Sequence, residues 1–219
     1  MAAPPLPLSA PITPITAPVG IGGAAWGPWR KLCREQWERP DRAPRRDCLN
    51  VAGVERDASA RATRLILAPE ALRGERLALL RRDDGGIVSF THEPPDAARD
   101  GALVPWRRHF ESWSLTARRI APNVTFELPV PDSPRGVTCR AEGLSRIEAR
   151  QVLVALCAVE LAGKLGNTGQ EARIAMAGRI AIDLPSAMIL AQGYASRIET
   201  FAGGRSNGVV LTAARHWLE

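Results

Sequence analysis

Lysine is nearly absent from this chain: only Lys31 and Lys164 occur, so 27 of the 29 basic residues are arginines. Histidine is also scarce, at three residues, His92, His109 and His216. A nucleophile–histidine catalyst has to use one of them, and none is flanked by a nucleophile-elbow or protease signature. The four cysteines, Cys33, Cys48, Cys139 and Cys157, contain no C-x-x-C pair. That spacing matches no familiar zinc module. Cys157 sits in an apolar run and reads as a small core residue. Four cysteines in 219 residues do not make a disulfide scaffold, so a reducing compartment is expected. No apolar run reaches the roughly 18–20 residues of a membrane span. The start of the chain has no basic n-region, and its prolines interrupt any apolar h-region, so it does not read as a signal peptide. A soluble protein of the cytoplasm, or of a particle assembled inside a cell, is expected.

Charge is absent from one region and crowded into the next. Residues 1–29 carry no charged side chain and seven prolines, whereas residues 30–46 carry seven basic and three acidic groups. Each proline removes a backbone donor and clashes with the preceding turn, so the leading segment cannot be a helix. It reads as an extended arm that lies along another surface. Pro11, Ile12, Pro14, Ile15, Trp26 and Trp29 are its candidate partner-binding residues. Deleting residues 2–24 is therefore expected to abolish oligomers and leave the core folded.

The net charge of +6 and sequence pI of about 9.9 favour a polyanionic partner, nucleic acid before an anionic membrane. Arginine suits phosphate because its planar fork engages two oxygens at once. The candidate contacts are Arg45, Arg46, Trp106, Arg107, Arg108, Arg118, Arg119 and Arg205. Arginine beside an aromatic face, as in Trp106-Arg107-Arg108-His109-Phe110, is the combination that holds single strands. The bland reading of that stretch is an amphipathic segment with its arginines solvated. Gly203-Gly204-Arg205-Ser206-Asn207-Gly208 reads either as a plain loop or as an anion contact, since glycines let backbone amides converge. Gly163-Lys164-Leu165-Gly166 fails the phosphate-loop spacing, because its lysine comes too early.

The pattern divides the chain into an arm (1–29), a basic connector (30–60), a β-rich region (61–140) and a helical region (141–219). Arg30–Arg39 is expected to form a short helix stopped by Pro40. Asp83-Asp84-Gly85-Gly86 is a hairpin signal between Arg76–Arg82 and Ile87–Thr91. Asn123–Val130 alternates as a half-buried strand. Ser145-x-x-Glu148 and Thr168-x-x-Glu171 spell capping boxes, and Pro185 suits a first helical turn. The expected fold class is therefore α+β: an extended proline-rich arm, a β-rich middle and a C-terminal bundle of three to four helices.

No D-x-D, H-x-H or E-x-x-H spacing points to a metal centre. No catalytic residue, metal ligand or cofactor is assigned. The function expected is a non-enzymatic assembly subunit, a coat or nucleoprotein component. It would oligomerise with copies of itself or with other subunits through its arm, and meet nucleic acid without sequence preference through its arginines. The alternatives are a nucleic-acid-binding regulatory or accessory factor, and a small α+β enzyme whose site is assembled from distant residues.

Overall fold

The computed structural model describes residues 1–23, 26–39, 42–70, 74–100, 115–128, 136–165 and 170–219. The expected helical bundle is absent. Residues 137–218 form five long strands: β9 (Val137–Ile147), β10 (Arg150–Leu165), β11 (Gln170–Asp183), β12 (Ile189–Ala202) and β13 (Arg205–Leu218). Among the described residues the one helix is α1 (Ala97–Asp100).

The misreading has a physical cause. A strand buried on both faces shows a continuous apolar run, and such a run carries no periodicity to separate it from a buried helix. Val152–Ala155 is that case: Val152 and Val154 face one apolar cluster, while Leu153 and Ala155 face another. The capping-box spelling at Ser145–Glu148 is the end of β9 running into the β9–β10 turn, with Glu148 at φ 52° and the Ser145 hydroxyl bonded to the Ala10 carbonyl. Glu171 lies on β11, and Pro185 sits in the β11–β12 turn. The basic connector is likewise not helical. Its described residues form β2 (Lys31–Trp37) and the whole of β3 (Arg45–Asp57).

The remaining strands are β1 (Val19–Ile21), β4 (Ala62–Pro69), β5 (Leu77–Arg82), β6 (Ile87–His92), β7 (Arg118–Ile120) and β8 (Thr125–Leu128). The β5–β6 hairpin turns at Asp83–Gly86, with Gly85 at φ 98°, as its turn residues require. Eleven strands make one antiparallel sheet in the order β6-β5-β4-β3-β2-β13-β12-β11-β10-β9-β8. It consists of two meanders, β2–β6 and β8–β13, joined where β2 pairs with β13. β1 and β7 make a separate two-stranded sheet.

The long sheet curls over a shared core. Leu65, Leu67, Leu77, Leu79 and Phe90 from the first meander share a cluster with Val152, Val154, Ala181 and Leu190 from the second. Fully burying each large aliphatic or aromatic side chain contributes roughly 1.5–3 kcal/mol. Two disulfides, Cys33–Cys48 and Cys139–Cys157, staple one hairpin in each meander. In both, the cysteines are directly opposite partners on adjacent strands. The isolated core cysteine and the reduced thiols read from the sequence give way to cross-strand pairs. Their spacings of 15 and 18 residues correspond to about 3 kcal/mol each in a loop-closure estimate.

The arm lies on its own molecule. Thr13 pairs with Leu144 on β9 through two backbone bonds of 2.8 Å, and the Ser9 amide donates to the Arg146 carbonyl. Leu6, Leu8 and Ile12 pack on one core cluster, and Ile15 packs on the other. A charge-free segment suits this position, because it adds backbone pairs and apolar area without burying a charge. Removing the arm therefore exposes core surface. The test is local: a Cβ on Gly193 of β12 would sit 2.1 Å from the Pro4 carbonyl oxygen. Gly193→Ala is expected to lower stability by about 1–3 kcal/mol. In urea unfolding, that loss should disappear in a chain lacking residues 2–8; persistence of the full loss would show that the arm is not the obstacle.

Candidate functional site

Two regions of this fold gather charged or exposed groups in an unusual arrangement: a buried charged clamp and a sheet extension beyond the flanking strands. The clamp forms where the β11–β12 turn meets β5. Asp183 is fully buried and takes both bonds of the Arg150 guanidinium, at 2.8 and 2.9 Å. Its second oxygen also accepts from the Ser186 hydroxyl at 2.5 Å and the Ser186 amide at 3.0 Å. Arg81, 1% exposed, donates to the Ser186 carbonyl from the other meander. Burial pulls Arg81 down to about 10, against the opposing pull of Asp83, Asp84 and Asp183. Arg150 in turn stacks over Trp29 at 4.9 Å, and Trp29 meets Trp26 edge-on. The Asp183 carboxylate thus accepts four hydrogen bonds, which hold the turn in place.

His92 and Asp100 form a second polar pair. Asp100 accepts from the His92 amide at 2.8 Å and lies 2.8 Å from ring Nδ1. Those two bonds, the amide first, hold Asp100 below the usual carboxylate range. No described serine, threonine or cysteine hydrogen-bonds this ring, so the pair lacks a nucleophile among the described residues. His216 meets Gln192 at 2.8 Å and packs edge-on against Tyr194. His109 lies outside the described residues.

The extension is built by the far halves of four strands. On β10, pairing with β9 stops at Ala158, so residues 159–165 pair only with β11 among the described residues. On β13, pairing with β2 begins at Ala213, so residues 205–212 pair only with β12 among the described residues. The result is a four-stranded sheet with two outer edges whose backbone groups have no strand partner among the described residues. Val209, Val210 and Leu211 on the β13 edge are 47%, 50% and 42% exposed, and they are consecutive. One face bears Glu160, Ala162 and Lys164 on β10 beside Ala175 and Arg173 on β11, then Arg197 and Glu199 on β12. Arg197 and Glu199 pair at 2.9 Å, and Arg173 lies over Phe201. A groove of about 450 Å³ runs along these residues.

The candidate arginines are spread over separate elements. Arg45 and Arg46 are exposed on β3, and Arg46 stacks over Trp217 and lies 3.7 Å from Glu219. Arg118 and Arg119 are on β7, where Arg119 pairs with Gly20. Arg205 opens β13 at a hairpin tip, where Gly203 and Gly204 both have positive φ, so those glycines serve the turn. Trp106, Arg107 and Arg108 lie outside the described residues. Of the arm candidates, Ile12 and Ile15 touch their own core clusters and Trp26 and Trp29 are buried, while Pro11 and Pro14 are exposed along β9.

Sequence reasoning missed both the clamp and the extension. The extension did leave a signal: Glu171, Arg173 and Ala175 alternate with Ala172, Ile174 and Met176, which is a period of two. The clamp left none, because its members are far apart in the chain. No protein-family model and no curated protein matches this chain.

Two outcomes follow. Asp183→Ala leaves half-buried Arg150 and the buried Ser186 donors without their acceptor and should cost about 1–3 kcal/mol in urea unfolding. By contrast, Arg179→Ala breaks the surface pair with Glu142 and should cost about 0–1 kcal/mol; equal losses would remove the special status of the clamp. Asp100 is depressed in the fold, so its contribution is present above the ordinary aspartate value and lost as pH falls through that value and below. Asp100→Asn should therefore flatten the acid limb of a stability–pH profile, and an unchanged limb would show that the His92 contact does not act.

Proposed function

We propose that this protein is a non-enzymatic subunit of a larger assembly, coupled to its neighbours through the four-stranded extension rather than through the arm. One observation carries the reading: eight consecutive β13 residues, 205–212, present an edge without a second partner strand among the described residues. Natural sheets usually guard such edges with charge, proline or a covering element. Here the middle of the edge is Val209-Val210-Leu211, and the one charge is Arg205 at its end. An extended segment added to this edge satisfies backbone groups and buries apolar side chains together.

The positive excess supports a polyanion as a further partner. Arg45, Arg119 and Arg205 are exposed on different elements, which fits sequence-blind contact with nucleic acid better than a single reading site. Two buried disulfides support an oxidising setting for the folded chain, in place of the reducing one expected from cysteine spacing.

Light scattering of the full chain over a concentration series tests the coupling. The mass should rise above that of one copy. Val209→Lys combined with Leu211→Lys should lower it without changing the melting temperature, because both sites are exposed. A mass of one copy at every concentration would end this reading. Affinity for a random single-stranded oligonucleotide should fall steeply with salt, following counterion release.

A further inference from the structure

The second edge of the extension has a pattern that the first lacks. Residues 159–165 of β10 read Val-Glu-Leu-Ala-Gly-Lys-Leu, with Glu160 and Lys164 on one face, symmetric about Ala162. Glu160, Ala162, Gly163 and Lys164 are all exposed, and a Cβ placed on Gly163 meets nothing within 4 Å.

We infer that two copies of this chain pair antiparallel along this edge, about a two-fold axis through Ala162. In that register Glu160 of each copy lies opposite Lys164 of the other, so two opposite-charge pairs form. Leu161 lies opposite Gly163, whose missing side chain leaves room for it. Ala162 meets Ala162 at the axis, where two small side chains suit the close spacing of directly opposed residues. Shifting the centre by one residue, to Leu161 or Gly163, sets Glu160 and Lys164 opposite other residues, and both charge pairs are lost. The interface is isologous and closes on itself, as a two-fold contact requires. It joins the two extensions into one eight-stranded sheet and makes the Glu160–Arg173–Arg197–Glu199 groove continuous with that of the partner copy. The β13 edge supplies no such match, because its one charged residue has no opposite charge to meet in a second copy.

This inference rests on the reading of the extension as the coupling element. The experiment is charge reversal, followed by sedimentation. Glu160→Lys alone and Lys164→Glu alone each replace two attractions by two repulsions and should weaken the dimer about tenfold or more. The double variant Glu160→Lys/Lys164→Glu restores the pairing and should return to within about threefold of the parent. In a second measurement, Ala162→Cys should cross-link two copies under mild oxidation. Lys164→Cys should not, because its symmetry mates lie about four residues apart along the strand. Single reversals without effect, or a double variant that stays weak, would overturn the β10 register. If assembly then responds to Val209→Lys/Leu211→Lys, the coupling role of the extension survives and this edge assignment falls. If the parent chain is monomeric throughout, both fall.

Discussion

The fold depends on a buried ionic clamp at the turn between β11 and β12. Asp183 and Arg81 are both removed from water, and neither is tolerable there alone, since an unpaired buried charge costs several kcal/mol. The charge of Asp183 is answered by Arg150 and by two donors from Ser186. Arg81 reaches the same turn from the opposite meander. The clamp therefore fixes how far the curled sheet closes on itself. A purely apolar contact at this point would tolerate sliding, whereas paired charges and directed hydrogen bonds do not.

Around that clamp, the sheet is held by pairings of very different range. Most strands pair with a sequence neighbour, which forms early because little loop entropy is lost. The β1–β7 and β2–β13 pairings are the exceptions, and the second joins residues near opposite ends of the chain. The Arg30 and Lys31 amides both donate to the Glu219 carbonyl at that seam. The disulfides sit in the local hairpins, so they stiffen each meander without fixing the junction. The arm adds to the second meander by pairing with β9, and covers apolar surface that the sheet leaves open.

The extension follows from a mismatch of lengths. β10 to β13 contain 14 to 16 residues, whereas β9 contains 11 and β2 only seven. The four long strands therefore outrun their flanking partners, and among the described residues no strand lies beside the overhang, whose core contact is confined to one face at Val159, Leu161 and Met176. Its side chains reflect that position. Small and charged residues occupy one face, and Val209, Val210 and Leu211 remain exposed at one edge. A globular protein gains little stability from such an overhang, which is the physical reason for reading it as a contact surface.

Some of this was legible in the chain. Asp83-Asp84-Gly85-Gly86 announced its hairpin because positive φ is a local demand that few residues meet. Thr125–Leu128 announced its strand because one of its faces is wet, and that imposes alternation. The proline-rich, charge-free start determined an extended, non-helical segment. The helical reading of residues 141–219 failed at Val152–Ala155, which is buried on both sides, and burial on both sides erases the period that separates strand from helix. Which surface the arm lies on, which cysteines meet, and how Asp183 finds Arg150 and Arg81 were decided by tertiary structure alone. Those contacts join residues distant in sequence, and only the pairing of strands brings them within reach.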